Sequence, residues 1–256
     1  MIRGTVALPV YNSLKILWLP IESLCRQQKP IDGWELIVFE EMHLQQIGEE
    51  WIRGYEERLK AVGCEKIIYL TDMKKVPLSQ KWVHIAQAAS KTSRYYCLCA
   101  SDDYYHPFML REAEINIKQA DWCLTPRGYF YDFYRDMVVQ YHYNALTGMQ
   151  MTGKPSKIKR FPLQEVNLGV DGWMARNMIN QAHNKGKKLK ALLCTSDNWQ
   201  QILCTNGLNN ISTKRHQFWQ DDIQPPFYPT ETKLQDIVPD DIYKRLKDLS
   251  QWLRSQ

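Results

Sequence analysis

The chain has 256 residues, 44% of them hydrophobic and 24% charged, with a formal net charge of +5. That composition calls for an ordinary soluble globular core in one large domain or two small ones. No apolar run reaches the length needed to cross a bilayer, and the opening "MIRGTVALPVYN" lacks the apolar block and cleavage site of a signal peptide, so a cytoplasmic protein is expected.

In chain order, "GTVALPVY" (4–11) reads as a short buried strand and 13–28 as a helix, with Leu14, Ile16, Leu17, Ile21 and Leu24 at helical spacing. "WELIVFEE" (34–41) is a second strand and 43–62 an amphipathic helix. "KIIYLTD" (66–72) is a third strand, "LSQKWVHIAQAAS" (78–90) a helix, "RYYCLCASDD" (94–103) a fourth strand and "FMLREAEINIKQ" (108–119) a helix. Strands alternating with helices in this way are βαβ units around a mostly parallel sheet, in which ligands lie beyond the carboxyl ends of the strands. Three strands end in acids there: Glu40 and Glu41, Asp72, and Asp102 and Asp103. A salt-bridged surface explains one such pair; repetition at one end of a sheet points to a polar pocket.

After residue 120 the pattern changes. "DWCLTPRGYFYDFYRDMVVQYHY" alternates like strands, with a turn at Arg135 and Asp136, and predicts a hairpin or meander. "NALTGMQMTGKPSKIKRFP" (144–162) reads as a mobile loop. "VDGWMARNMINQAHNKG" (170–186) is a helix, "KKLKALLCT" a strand, 206–229 a loop, and "DDIYKRLKDLSQWLRS" (240–255) an amphipathic tail helix that packs on the body. The expected organisation is a βαβ half (1–120), a second half of different pattern (121–220) and a C-terminal tail (221–256) within one compact domain.

The seven cysteines are scattered, with no CxxC pair. Cys97 and Cys99, two apart in a strand, share one face, and buried free thiols are expected rather than disulfides or a zinc site. The basic residues gather in "KPSKIKR" (154–160), "KGKKLK" (185–190) and "TKRH" (213–216). These are either a solvated surface or an attraction for an anionic ligand, such as a nucleotide diphosphate, or for nucleic acid.

"TVALPVYN", "ELIVFEE" and "YYCLCASDDYYHP", in that order, resemble the landmarks of family 2 glycosyltransferases of the GT-A fold. "LSQKWVHIAQAA" resembles the helix before the aspartate motif, with Lys81 and Trp82 where that family has Arg-Asn. "GVDGWMARNMI" resembles the later segment that carries the catalytic base. The resemblance spans roughly residues 4 to 200. It departs at Ala100, where the family often has the first aspartate of its metal motif, at Glu40 and Glu41 in place of Asp-Asp, and at Lys81 in place of Arg, which keeps the charge and loses the bidentate fork.

The resemblance implies an α/β fold with a Rossmann-like, mostly parallel sheet and inverting transfer of a sugar from a nucleotide-diphosphate donor to an acceptor hydroxyl, with 1–120 as the nucleotide-sugar-binding half and 121–220 as the acceptor-binding and catalytic half. It implies a divalent cation, Mg²⁺ or Mn²⁺, held by Asp102 and Asp103. The chemistry fits, because carboxylates are natural ligands of a hard cation that neutralises a leaving diphosphate. Capping the helix that begins near Pro107 is the other use for these acids. Asp171 is the candidate base, with Asp197 as runner-up; Asp171 also suits a helix N-terminus. Donor contacts fall to Pro9, Tyr11, Glu40, Lys81, Ser101 and Asp102, and to Asn210, Ser212 and Arg215 in a loop that closes over the phosphates. Tyr11 also reads as core, Lys81 as a solvated helix residue, and His106 as a helix-start residue rather than a metal ligand. The acceptor is a glycan, a protein or a modified base in DNA. The rivals from other classes are a nucleotidyltransferase, whose glycine-rich basic loop after the first strand "LPVYNSLK" lacks, and a non-catalytic nucleotide- or glycan-binding module.

Overall fold

A computed structural model of the chain describes residues 1–41, 46–125, 127–142, 150–167, 170–193, 203–206 and 227–255. Its centre is a seven-stranded sheet. Four parallel strands, β1 (Ile2–Val10), β2 (Gly33–Glu41), β3 (Cys64–Asp72) and β4 (Tyr95–Leu98), lie in the order β3-β2-β1-β4. The sheet continues through β8 (Gln150–Gly153) and β5 (Trp122–Thr125) to β9 (Ala191–Leu193), and only β8 runs antiparallel.

Alternation along β1 explains why both faces are covered. Val6, Leu8 and Val10 point into one apolar layer, with Ile21 and Leu24 of α1 (Trp18–Leu24) and Leu110 and Ala113 of α5 (Met109–Asn116). Ala7 points into the other, with Val83 and Ile85 of α4 (Leu78–Ala88) and Trp173, Met174 and Met178 of α7 (Val170–His183). Strands buried on two sides need continuous apolar runs, and these have them.

Several expectations change in detail. The helix over 43–62 breaks into α2 (Glu49–Arg53) and α3 (Glu56–Ala61), with 42–45 outside the described residues. Gly48 precedes α2 at φ 81°, a conformation natural to glycine, and Gly54 ends α2. The helix over 13–28 shortens because Pro20 offers no N–H to the turn before it. The stretch read as a mobile loop instead supplies β8 and α6 (Pro155–Ile158). Thr152 is fully buried between Cys97 and Cys123 of the flanking strands, and a Cβ on Gly153 would come within 2.9 Å of the Trp122 ring.

The hairpin is present as β6 (Arg127–Asp132) and β7 (Met137–His142), turning through Asp136 at φ 54°. It forms a second sheet with β10 (Leu203–Asn206) and β11 (Phe227–Pro229), both inside the stretch from 203 to 229 whose later part reads as loop. The expected tail helix is α9 (Asp240–Arg254), preceded by α8 (Leu234–Ile237). Ile242 and Leu246 pack with Ile16, Leu19, Tyr104, Tyr131, Phe133 and Leu203 in a third apolar cluster. Around it, Glu22 takes both guanidinium nitrogens of Arg58 at 2.9 and 2.7 Å, and Arg26 meets Asp241 at 2.5 Å. Arg58, first among several cations, holds the Glu22 carboxyl below its ordinary range. The described cysteines 25, 64, 97, 99 and 123 are free thiols, and burial pushes Cys97 up to about 12.

Because Leu246 is fully buried, Leu246→Ala is expected to cost about 3 kcal/mol. Urea denaturation should show one cooperative transition shifted by that amount. A separate early transition would mean the tail is an independent unit.

Candidate active site at the carboxyl edge of the sheet

The strand order reverses between β1 and β4, which makes that gap the switch point at which doubly wound sheets receive ligands. The two ladders part there. The β1–β4 pairing ends at Ala7 opposite Leu98, with one further bond from Cys99 N–H to the Ala7 carbonyl at 3.0 Å. Pro9 sits just beyond, still beside Phe39 of β2. A proline has no ladder hydrogen to give, so it is tolerated where a neighbouring strand has already left.

The two chain ends meet again across the gap. Asn12 turns the chain at φ 48°, a backbone that Asn tolerates better than most residues. Ser13 Oγ donates to the Tyr11 carbonyl at 2.9 Å and shares a 2.7 Å hydrogen bond with Ser101 Oγ. The exit of β1 is thereby latched to the segment that carries Asp102 and Asp103. Tyr11 remains 42% exposed on this edge, with the Lys81 ammonium 5.3 Å from its ring centre.

The acids at the edge divide into two kinds. Glu40 and Glu41 are each 2% exposed. Glu40 accepts from the Ile47 N–H at 2.9 Å, from the Gly48 N–H at 3.3 Å and from the Tyr69 hydroxyl. Burial and that carboxylate together push the Tyr69 phenol well above its ordinary value. Glu41 accepts from Val76 N–H at 2.6 Å and pairs with Lys81 at 3.4 Å. These carboxylates hold the loops that follow β2 and β3. Asp102, in contrast, is half-buried beyond β4. Asp103 is buried, 3.5 Å from the Tyr105 hydroxyl, which also accepts the Ala100 N–H at 2.5 Å. Tyr105 thus braces the Ala100–Asp103 turn from inside.

Lys81 is not a solvated helix residue. It is 3% exposed, and its ammonium donates to the Val10 carbonyl at 3.3 Å as well as meeting Glu41. Burial lowers its pKa, and Glu41 opposes that shift.

Asp171 reaches the same edge by connection through α4. Asn167 Oδ1 accepts the Leu78 N–H at 3.0 Å, and Val166 accepts the Ser79 N–H at 3.1 Å, at the amino end of α4, whose next turn carries Lys81. Asp171 follows in the first turn of α7, where Val170 and Met174 are buried in the core. Its side chain is accessible, yet the protein around it desolvates the carboxyl and pushes it up to about 6, against the pull of its own backbone N–H.

Asp197, Asn210, Ser212 and Arg215 lie outside the described residues. His106 does begin a helix: its Nδ1 accepts the Phe108 N–H at 3.3 Å ahead of α5. The sequence reading missed Ser13 and Tyr105. Neither carries a sequence signal, since each acts through a partner distant in space or through the turn's own fold. Among the described residues no three His, Cys, Asp or Glu side chains cluster as a ready-made metal cage. Asp102 and Asp103 still suit a cation that takes its remaining ligands from phosphate and water.

No family model and no curated protein matches the chain. Among solved structures, residues 1–349 of S. aureus TarS in complex with UDP match at TM-score 0.58 and 14% identity, over 80% of this chain and 60% of that one. The UDP-GlcNAc complex of the same protein matches at 0.58 and 14%, over 80% and 58%. A longer TarS chain matches at 0.57 and 15%, over 80% and 37%. The fold is GT-A-like: an α/β protein with a mostly parallel seven-stranded sheet, a separate hairpin and a C-terminal helix. The chain spans about 60% or less of the length of these TarS structures.

Removing the Lys81 ammonium strands the buried Glu41 carboxylate. Lys81→Met is expected to destabilise the protein by about 3 kcal/mol, and adding Glu41→Gln should recover most of the loss. Chemical denaturation of both variants measures this; additive losses would show that the two side chains do not act as a pair.

Proposed function

We propose that the chain is a glycosyltransferase that moves a sugar from a nucleotide-diphosphate donor to an acceptor hydroxyl with inversion. The observation that carries this reading is the Ser13–Ser101 latch at the β1–β4 switch point. It sets an accessible ring, Tyr11, and a half-buried carboxylate, Asp102, at the one place where this topology receives a nucleotide. The likeness in fold to a protein solved with UDP and with UDP-GlcNAc supports a uridine nucleotide as the first donor to try.

In this reading the base of the nucleotide lies against Tyr11 and the turn after Pro9. Glu40 and Lys81 act from beneath, by fixing the loops around it. Ser101 and Asp102 face the diphosphate. Asp102, with Asp103 behind it, would hold a Mg²⁺ or Mn²⁺ ion, which when bound neutralises charge on the leaving diphosphate. Asp171 takes the proton of the acceptor hydroxyl as that oxygen bonds to the anomeric carbon and the carbon–oxygen bond to the diphosphate breaks. A base must be deprotonated to act, and a pKa near 6 leaves Asp171 mostly ionised at neutral pH with useful basicity. Asp197, as the alternative to Asp171 for the base, and Asn210, Ser212 and Arg215, as a phosphate-covering loop, remain proposals of sequence.

A nucleotidyltransferase is disfavoured because the turn after β1, Tyr11-Asn12-Ser13, has no glycine cradle. A binding module without chemistry would use the same switch point but leave Asp171 idle.

Three measurements follow. With UDP-sugars and Mn²⁺, Asp102→Asn is expected to reduce donor turnover at least 100-fold, and undiminished turnover removes Asp102 from the diphosphate site. Asp171→Asn should cut transfer by about 10² to 10⁴ while UDP still binds. In the wild type, log(kcat/KM) should fall as pH drops through about 6, because protonation disables the raised carboxyl of the free enzyme; an acidic limb centred near 4 would assign the base elsewhere.

A further inference from the structure

The basic runs 154–160 and 185–190 are far apart in sequence and adjacent in space. β8 descends antiparallel, so Gly153 lies opposite Trp122 at the amino edge of the sheet. Lys154 and Lys157 then pair with Asp121 at 2.7 and 2.8 Å, and the Asp121 N–H donates to the Lys190 carbonyl at 2.8 Å. Gln181 of α7 donates to the Lys157 carbonyl at 3.0 Å, tying the first run to the helix that leads into the second. Lys118, Lys159, Arg160, Lys185, Lys187, Lys188 and Lys190 are exposed around this knot.

Segments 118–121, 154–160 and 185–190 therefore bring nine cations together with one acid, Asp121. That surplus of eight exceeds the +5 of the whole chain, so the rest of the molecule is net negative. The opposite edge carries Glu40, Glu41, Asp72, Asp102, Asp103 and Asp171, with Lys74, Lys75 and Lys81 among them. The two edges are separated by the length of β1, nine residues or about 30 Å. The molecule is electrically polarised along its strands.

We propose that the amino edge is a docking platform for an anionic lipid leaflet, which would leave the carboxyl edge facing away from the membrane. The charge is diffuse: eight of the nine cations are lysines, which act as point charges, while the bidentate fork belongs to arginine. The aromatic rings within or beside these segments, Trp122 and Phe161, are buried, so the platform offers no surface for stacking bases. A polymer lying here would not bring its reacting hydroxyl to the far edge. A flat field of phosphate headgroups needs neither forks nor rings and attracts clustered lysines one by one. No helix among the described residues is long and apolar enough to cross a membrane, so this attachment would be peripheral.

The test is co-sedimentation of the full chain with phosphatidylcholine vesicles, with and without phosphatidylglycerol, in the absence of nucleotide. Its outcome does not depend on transferase activity. Binding is expected only to the anionic vesicles and should fade as salt rises toward the molar range. The triple variant Lys187→Gln, Lys188→Gln, Lys190→Gln should bind on the order of 100-fold more weakly, at about 1 kcal/mol per lysine, with an unchanged melting temperature. Lys74→Gln with Lys75→Gln, on the other edge, should bind as the wild type does. Absence of binding to anionic vesicles at low salt overturns the proposal. So does equal binding by the triple variant, or tighter binding of a mixed-sequence DNA duplex through the same lysines.

Discussion

The ammonium of Lys81 lies where β1, β2 and α4 converge, donating to the Val10 carbonyl and facing the Glu41 carboxylate. Val10 is the last residue of β1, and Tyr11, the next residue, stands over the same ammonium. A charge buried this far is tolerated only while its partner and acceptor stay in place. That requirement fixes the direction in which the chain leaves β1. The Tyr11–Ser13 turn follows from it, and through Ser13 and Ser101 so does the placement of Asp102. Behind the turn, Ile16, Trp18 and Leu19 pack with Tyr104 and with the tail residues Ile242 and Leu246, so both loops of the gap rest on one apolar cluster.

The βαβ framework was legible because its strands are buried on both faces and read as uninterrupted apolar runs. β8 was not. Gln150-Met151-Thr152-Gly153 has one large apolar residue, and its place between β4 and β5 comes from long-range pairing. β10 is hidden for the same reason, since Leu203 finds its partners in Tyr129 and, across an isolated bridge, Tyr104. Gly48 and Gly54 bound α2 and break the helix that the amphipathic spacing of 43–62 suggests.

At the site, sequence showed which residue types gather at the strand ends but not which way they face. Glu40 and Glu41 look like Asp102 and Asp103 on paper. In the fold, the first pair is turned inward, to the amides of residues 47, 48 and 76 and to Lys81. Asp102 keeps a solvent-facing side. Strand parity cannot decide this, because all four acids stand at or beyond the last residues of a strand. The Ser13–Ser101 contact is equally invisible in sequence, spanning 88 positions.

Amide hydrogen exchange in the presence and absence of UDP tests the placement of the site most directly. A nucleotide site at the β1–β4 gap predicts slowed exchange at residues 10–13, at 99–105 and in the first turn of α7, with residues 185–190 unchanged. Protection confined to the amino edge, or none at saturating UDP, would contradict it.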